Sequence, residues 1–263
     1  MVGRRSVAEA IVAGRALEVR IAASARKTPG LRSLADAAAA AGVAVREVPR
    51  AELDSLADDH HGVLAFVTSS RSEDLGERDL AAWPFDDDAL VVVLDGLNDP
   101  QNLGAAARSA EAAGAAMLVS RVRRAAAVTP AAIAASAGAL LHLPHARVAN
   151  VARAIGRLRE AGFTVVGLDD AAPVSIYAER PPAGRIAVVI GSEGSGMSRL
   201  VREACDVVVS IPMAGRVGSL NAAASLTAAL YAYVLPPRLA ARRDARRGAA
   251  PDDAQPEGAR SAD

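Results

Sequence analysis

The spacing of apolar positions divides the chain into a first region of mixed elements and a longer second region of regular repeats. Residues 1–67 alternate between the helical period and the strand period. The pattern predicts three helices and three strands in alternation, with a helix first: Val7–Val12, Glu18–Ala22, Leu31–Ala41, Val43–Val48, Ala51–Leu56 and Gly62–Val67. We therefore expect a small α/β domain over residues 1–67.

From residue 89 onward, short apolar runs are separated by helical stretches. The runs predict strands at Leu90–Leu94, Ala115–Val119, Phe163–Leu168, Ile186–Ile190 and Val207–Ile211. The helical stretches predict helices at Leu103–Ala113, Pro130–Ala137, Val151–Glu160 and Ser219–Val234, the last one stopped by Pro236 and Pro237. Apolar strands joined by helices are typical of a parallel sheet covered on both faces. We expect this α/β domain to span residues 89–237.

Two polar segments flank the second region. Residues 68–88 are rich in Ser, Asp and Glu, and the consecutive carboxylates of Asp86–Asp88 are hard to bury, so this segment is predicted to be a linker. Residues 238–263 have a basic half followed by an acidic half and few large apolar residues, which predicts a disordered tail. A tail that touches nucleic acid is the alternative.

Composition excludes several classes of protein. A single cysteine, Cys205, rules out an internal disulfide and a cysteine-based zinc site, and two histidines three residues apart (His142 and His145) do not make a metal site. An aromatic content of 3% argues against a base-stacking platform. No apolar run is long enough for a membrane span or a signal peptide, so we expect a cytoplasmic protein without a membrane partner.

Charge is balanced overall but unevenly distributed. Lys+Arg and Asp+Glu are 30 each, which excludes a uniformly basic RNA-binding protein. Acidic residues concentrate in the 73–88 segment and at the end of the chain, whereas arginines cluster at 121–124 and 238–247. The three arginines Arg121, Arg123 and Arg124 follow a predicted strand and suit phosphate binding, although a solvated loop is an equally good interpretation.

Three loops after predicted strands carry the candidate chemistry, because ligands of open parallel sheets bind beyond the carboxyl ends of the strands. In the first loop, Asn102 is placed either to cap the next helix or to face a ligand. Arg108 stands in the front half of that helix, where the helix dipole disfavours a cation. It is therefore either paired with a partner or simply solvated.

The second and third loops are rich in glycine and lack the usual nucleotide fingerprints. The second, GSEGSGMS from Gly191, places Glu193 inside a glycine turn but matches neither the Walker loop nor the dinucleotide motif. The third leads through Gly218 into Ser219 and Asn221. Ser219 is a good helix N-cap, and Asn221 is a poor helix former in the predicted first turn.

Taken together, the three loops resemble the motifs of the SpoU (TrmH-like) family of RNA ribose 2′-O-methyltransferases. The motifs are LDGLNDPQNLGAAARSAEAAG, VVIGSEGSGMSRLVREACD and VSIPMAGRVGSLNAAASLTAALY, in order over residues 90–234. Residues 1–67, with their DDHHGVLAFV ending, resemble the ribosomal-protein-like RNA-binding domain of the RlmB branch. That branch usually has His-Gln-Gly where this chain has His60-His61-Gly62, and Val-Ser-Val where it has Ala222-Ala223-Ala224.

The resemblance implies an α/β trefoil-knot fold that strand periodicity does not predict. It also implies S-adenosylmethionine as the methyl donor without a metal, and a homodimer whose site uses both subunits. By the same resemblance, the catalytic positions are Asn102, Arg108, Glu193, Ser219 and Asn221. The implied cofactor-binding positions are Gly191, Gly196, Ile211, Met213 and Leu220.

The resemblance also frames the expected reaction and its alternatives. The expected substrate is a guanosine of large-subunit (23S) rRNA, because a separate N-terminal domain is present. The alternatives are a tRNA methyltransferase, an antibiotic-resistance rRNA methyltransferase, and a non-catalytic RNA-binding knot protein. Arg108 would orient a phosphate and lower the pKa of the ribose hydroxyl, since a guanidinium stays charged, and Glu193 would hold Asn102, Arg108 or Asn221 in place.

Overall fold

The N-terminal domain is a small three-stranded sheet with helices packed against it. A computed structural model describes residues 1–25, 28–67, 75–178 and 180–240. The N-terminal elements are α1 (Arg4–Val12), β1 (Ala16–Ala22), α2 (Pro29–Ala40), β2 (Ala44–Val48), α3 (Arg50–Leu56) and β3 (Val63–Val67). The strand order is β2-β1-β3, with β1 parallel to β2 and antiparallel to β3. All six elements agree with the prediction to within a few residues.

The second domain is built on a seven-stranded sheet. Its strands are β4 (Leu90–Asp95), β5 (Met117–Arg121), β6 (His145–Val148), β7 (Thr164–Leu168), β8 (Val174–Ser175), β9 (Ile186–Gly191) and β10 (Val207–Ser210). Its helices are α4 (Glu77–Ala82), α5 (Pro100–Ala112), α6 (Pro130–Ala135), α7 (Ala139–His142), α8 (Val151–Glu160), α9 (Arg199–Ala204) and α10 (Ala222–Ala229). The order is β6-β5-β4-β9-β7-β10-β8, and every neighbouring pair is parallel.

Helices cover both faces of this sheet, as predicted from its uninterrupted apolar strands. All six residues of β4 and of β9 are buried. Since successive side chains of a strand point to opposite faces, Leu90, Val92 and Leu94 pack with α5 and α10, whereas Val91 and Val93 pack with α8. The prediction of a parallel sheet buried on both sides is confirmed.

The register of the central strands brings four loops to one edge of the sheet. Asp95, at the end of β4, lies opposite Gly191, at the end of β9. Leu168 at the end of β7 pairs with both Ile190 of β9 and Val209 of β10. The loops after β4, β9, β7 and β10 therefore emerge side by side at the carboxyl edge. The trefoil knot concerns the path of the chain, and it stays a prediction of the family resemblance.

The segment expected to be a linker contains a packed helix in its second half. Helix α4 lies against α8, and its Leu80 is fully buried together with Phe85 in the core beneath. The aspartates Asp86–Asp88 are exposed, which agrees with the reasoning from charge. The apolar pattern of this short helix was not recognised in the sequence, because charged residues surround it. Residues 68–74 lie outside the described residues.

The last helix differs from the prediction at both ends. Its N-cap is Asn221, whose Oδ1 accepts hydrogen bonds from the amides of residues 223 and 224, so the expectation that Ser219 caps it is wrong. It also does not stop at Pro236 and Pro237, because residues 235–240 remain helical. A π-helical turn over Leu230–Val234 precedes the prolines and changes the hydrogen-bond register. A proline is tolerated in a helix at a position where its missing backbone N–H is not needed for a hydrogen bond. The predicted tail lies outside the described residues beyond residue 240.

Two buried histidines have structural partners. His60 accepts a hydrogen bond at Nδ1 from the Gly62 amide (3.0 Å), so its Nε2 carries the proton and donates to Asp54 Oδ1 at 2.7 Å. His145 Nε2 lies 2.7 Å from the hydroxyl of Ser120. Burial, with a smaller contribution from Arg147, lowers the pKa of His145 to about 4. Over the described ranges, no group of residues suits a metal ion, and no helix is long and apolar enough to cross a membrane.

Candidate active site

A cleft of about 250 Å³ lies at the carboxyl edge of the central strands. We call it the carboxyl-edge cleft. Its walls come from the ends of β7, β9 and β10, the loops that follow them and the start of α10, namely residues 168–170, 190–196, 209, 211, 213, 218–220, 222 and 225. All five positions expected to bind a cofactor, and two of the expected catalytic positions (Glu193 and Ser219), line this one cleft.

The glycine turn after β9 forms one wall of the cleft by folding back on itself. Ser192 and Gly196 exchange two backbone hydrogen bonds, of 3.1 and 2.9 Å. A Cβ atom on Gly191 would lie 2.0 Å from the carbonyl carbon of Gly196 and 2.1 Å from the amide nitrogen of Met197. Only glycine therefore fits at residue 191, and the close crossing presents backbone groups rather than side chains to the cleft.

Three polar side chains from three separate loops meet beside this turn. Asn102 Nδ2 donates to Glu193 Oε1 at 2.7 Å, Asn221 Nδ2 donates to Asn102 Oδ1 at 3.0 Å, and Asn221 Nδ2 also donates to Glu193 Oε1. The cap on α10 occupies Asn221 Oδ1, which fixes the orientation of its amide. One carboxylate oxygen of Glu193 thus holds both asparagines in a closed network.

Asn102 is part of this network rather than the cap of α5. The cap is Asp99, whose Oδ1 accepts from the Gln101 amide at 2.9 Å. Asn102 instead points across to Glu193, which stands 91 residues later in the chain. Of the two interpretations that the sequence allowed, the structure therefore shows the one in which Asn102 faces the candidate site.

Arg108 does not join the network within one chain. It is exposed, and in the described part of the chain its guanidinium makes no ion pair and no hydrogen bond. It stands six positions after Asn102, which places it about 9 Å further along α5 and about 120° around the helix axis. The face of α5 that continues from Asn102 packs on α10, where the hydroxyls of Ser109 and Thr227 lie 2.6 Å apart.

Both parts of the chain match known family models. Residues 89–231 match the SpoU rRNA Methylase family, and residues 1–73 match the family described as RNA 2′-O ribose methyltransferase substrate binding. The first match alone covers more than half of the 263 residues. The chain belongs to the SpoU rRNA methylase family.

Relatives of this SpoU-family chain match it over most of its length. A protein of Mycolicibacterium vanbaalenii named as an uncharacterized tRNA/rRNA methyltransferase is 42% identical over 229 residues, covering 84% of this chain and 71% of the relative. A protein of Staphylococcus saprophyticus assigned by name to the TrmH family of tRNA/rRNA methyltransferases is 36% identical over 232 residues, covering 88% and 93%.

Solved structures show the same fold. The SpoU methyltransferase AviRb from Streptomyces viridochromogenes, in complex with the cofactor AdoMet, superimposes with a TM-score of 0.76 at 28% identity, covering 91% of this chain and 89% of that chain. A structure described as an RNA 2′-O ribose methyltransferase has a TM-score of 0.69 at 28% identity, covering 88% and 85%. The likeness extends over both domains of the SpoU-family chain.

Sequence reasoning missed two carboxylates of the SpoU-family cleft. Asp169 and Asp170 follow β7 directly and line the cleft. The side chain of Asp169 accepts from the Ala171 amide (2.9 Å) and pairs with Arg202 (2.8 Å). Asp170 is exposed and has no side-chain partner among the described residues. The rule about carboxyl ends of strands could have found both, because β7 was itself correctly predicted.

Proposed function

We propose that this protein transfers a methyl group from S-adenosylmethionine to a ribose 2′-hydroxyl of RNA, with a guanosine of large-subunit rRNA as the substrate. The observation that carries the proposal is the closed Asn102–Glu193–Asn221 network at the rim of the carboxyl-edge cleft. It joins all three motifs of the family at one point. The match of residues 1–73 to a substrate-binding family supports RNA as the substrate.

The carboxyl-edge cleft suits S-adenosylmethionine, which supplies an electrophilic methyl group on a sulfonium and leaves as a neutral thioether. Its walls combine apolar side chains, such as Ile211 and Met213, with backbone groups of the Gly191–Gly196 turn. Apolar walls with a few polar groups are typical of small-molecule sites. The carboxylate of Asp170, which has no side-chain partner among the described residues, is available to accept hydrogen bonds from ribose hydroxyls or an ammonium group.

The polar network would position the acceptor rather than take its proton. Glu193 already accepts two amide hydrogen bonds on Oε1, and its second oxygen has no partner among the described side chains. The network therefore presents a fixed carboxylate edge beside Ser219, which is exposed at the cleft. Holding a hydroxyl in line with the methyl group accounts for a large part of the rate of such a displacement.

The position of Arg108 supports a site completed by a second subunit. In one chain its guanidinium is exposed and unpaired over the described ranges, and it does not reach Glu193. In a symmetric dimer that packs this face of α5 against the partner's cleft, the guanidinium of Arg108 would enter that cleft. There it would bind the phosphate next to the target ribose and favour release of the hydroxyl proton to water.

The reaction is tested by incubating the protein with radiolabelled S-adenosylmethionine and protein-free rRNA or tRNA from cells that lack the gene. A ribose 2′-O-methyl group blocks alkaline cleavage at the adjacent phosphodiester, so the modified nucleotide appears as a gap in an alkaline ladder. We expect one gap, at a guanosine of 23S rRNA. Label that enters tRNA alone would support the tRNA alternative, and label without a gap would refute ribose methylation.

The role of Arg108 is tested by complementation between two inactive variants. We expect Arg108→Ala and Glu193→Ala each to abolish transfer without preventing folding. If the site uses both subunits, co-expression creates mixed dimers with one intact site, and about a quarter of wild-type activity returns for random pairing. No recovery from the mixture would show that Arg108 acts within its own chain. Normal turnover by Arg108→Ala alone would refute its assignment.

A further inference from the structure

A second cleft of about 230 Å³ lies at the carboxyl edge of the outer strands and is lined by arginines. Arg121 ends β5, and Arg123 and Arg124 follow it. The opposite wall comes from Asn150 at the start of α8 and Ser198 at the start of α9. We call this the arginine cleft. It is separate from the residues that line the carboxyl-edge cleft.

The charge in the arginine cleft is only partly neutralised. Arg121 Nε lies 2.9 Å from Oδ1 of Asp95, a buried carboxylate, although the angle is too poor for a hydrogen bond. Arg123 and Arg124 are exposed, and neither has an ion pair or a side-chain hydrogen bond among the described residues. The guanidinium groups of these two consecutive residues are therefore available for an anion.

The loop that carries these arginines is anchored to the neighbouring strand β6. Arg147, on the neighbouring strand β6, donates from Nη2 to the carbonyl of Val122 at 3.1 Å and approaches the carbonyl of Arg121 at 3.5 Å. Arg124 adopts a left-handed backbone conformation with φ 55°, which an arginine rarely adopts. A left-handed residue persists where the surrounding structure holds it, and the two contacts from Arg147 tie this turn to β6.

The arginine cleft adjoins the candidate active site. A Cβ atom on Gly96 would lie 3.8 Å from Cβ of Ser192, in the glycine turn, and 3.9 Å from the backbone oxygen of Arg124. Asp95 also links the two sites, since its Oδ2 accepts from the amide of Ser198, in the wall of the arginine cleft, at 2.8 Å, and its backbone pairs with Gly191, in the wall of the carboxyl-edge cleft. An extended polyanion that enters one cleft can therefore continue into the other.

We propose that the arginine cleft binds phosphodiesters of the RNA strand that flank the target nucleotide, with Arg123 and Arg124 as the contacting residues. The planar guanidinium fork binds phosphate oxygens in pairs, and phosphate contacts fix the register of the nucleic acid without reading its sequence. This inference rests on the proposed function, because it takes RNA as the substrate. It explains how a chain without net charge holds RNA beside its active site.

The test compares Arg123→Ala, and the double variant Arg123→Ala/Arg124→Ala, with the control Arg157→Ala. Arg157 is also exposed, pairs with Glu160 on its own helix, and lies in the last turn of α8, about 7.5 Å along the helix from Ala152 in the lining of the arginine cleft. Each single variant removes one positive charge. RNA affinity is measured by fluorescence anisotropy of a labelled rRNA fragment between about 0.05 and 0.3 M salt, a range that includes physiological ionic strength. S-adenosylmethionine affinity is measured by calorimetry.

We expect the double variant to bind RNA about 10- to 100-fold more weakly near physiological salt, with unchanged S-adenosylmethionine affinity. The slope of log affinity against log salt should fall by about 1.4, because about 0.7 is lost per phosphate contact to a single strand. Arg123→Ala alone should show about half of this change in slope. The single variant also keeps the test valid if the double variant is poorly folded.

Wild-type-like RNA affinity and salt slope in Arg123→Ala and in the double variant, as in the Arg157→Ala control, would overturn the inference. If Arg108→Ala loses RNA methylation while the Arg123 and Arg123/Arg124 variants bind RNA like the wild type, RNA binding by the arginine cleft is refuted and the proposed function is not. If the wild type methylates no RNA, but Arg123→Ala binds RNA more weakly than the wild type, the proposed function is refuted and the arginine cleft is not.

Discussion

The close crossing at Gly191 makes a quantitative prediction about the wall of the carboxyl-edge cleft. In Gly191→Ala, the new Cβ would stand 2.0 Å from the carbonyl carbon of Gly196, whereas ordinary contact begins at 3.4 Å. The turn must therefore move by about 1.4 Å, because backbone atoms cannot rotate away. That shift also disrupts the two backbone hydrogen bonds between Ser192 and Gly196.

The cost of this substitution follows from two contributions. Overpacking in a tightly packed site costs about 1–3 kcal/mol, and each lost backbone hydrogen bond adds about 1 kcal/mol. We therefore expect the free energy of unfolding to fall by about 3–5 kcal/mol. The cleft wall moves with the turn, so the affinity for S-adenosylmethionine should fall at least about tenfold.

A matched control lies three residues further along the same turn. Gly194 has φ 80°, and a Cβ atom there would meet no atom of the described residues within 4 Å. Gly194→Ala should cost only the strain of a left-handed alanine, about 1 kcal/mol. Both variants are compared by urea denaturation and by calorimetric titration with S-adenosylmethionine. Equal stability of the two variants, or wild-type cofactor affinity in Gly191→Ala, would contradict the reasoning.

Three further predictions concern buried groups away from the cleft. The pKa of His145 is lowered to about 4, so the folded chain stays neutral there while the unfolded chain takes up a proton below its ordinary pKa of 6.5. Stability should fall by about 2 kcal/mol more between pH 7 and pH 5 in the wild type than in His145→Asn, as measured by urea denaturation at both pH values. Burial raises the pKa of the Cys205 thiol to about 12, so iodoacetamide should label it at pH 8 only after unfolding, and fast labelling of the folded protein would disprove this. A Cβ on Gly104 of α5 would lie 2.5 Å from the Ala132 oxygen of α6, so Gly104→Ala should lower the melting temperature. In the control Gly156→Ala in α8, the new Cβ has no described atom within 4 Å, so the melting temperature should stay unchanged or rise.

The central sheet was predictable because burial on both faces leaves a simple trace in the sequence. Strands β4 and β9 are uninterrupted apolar runs, and both were found. Strand β6 was not predicted, because it begins with His145 and contains Arg147, which look like loop residues. His145 is buried there as a neutral imidazole beside Ser120, and that pairing of two polar groups from neighbouring strands has no local signature.

The site was predictable in its residue types but not in its contacts. Position after a strand and unusual residue choice were enough to single out Asn102, Glu193 and Asn221. The hydrogen bonds between them connect residues 91 and 119 positions apart along the chain, and these depend on a strand order in which β9 lies between β4 and β7. Asn221 as the cap of α10 was missed for a related reason, since Ser219 has an equally good capping side chain.

The positions of the arginines show why the net charge of the whole chain does not determine its local affinity for RNA. The chain has no net charge, yet Arg108, Arg123 and Arg124 are exposed and unpaired over the described ranges, and Arg123 and Arg124 lie at the carboxyl edge of the sheet. Balancing acids such as Asp86–Asp88 are exposed in the segment that precedes β4. Since screening limits exposed charges to a range of about 8–10 Å, a phosphate in the arginine cleft responds mainly to the nearby arginines and not to the chain average. Local affinity for RNA is therefore compatible with overall neutrality, and it predicts that RNA contacts of the second domain concentrate at the carboxyl edge of its sheet.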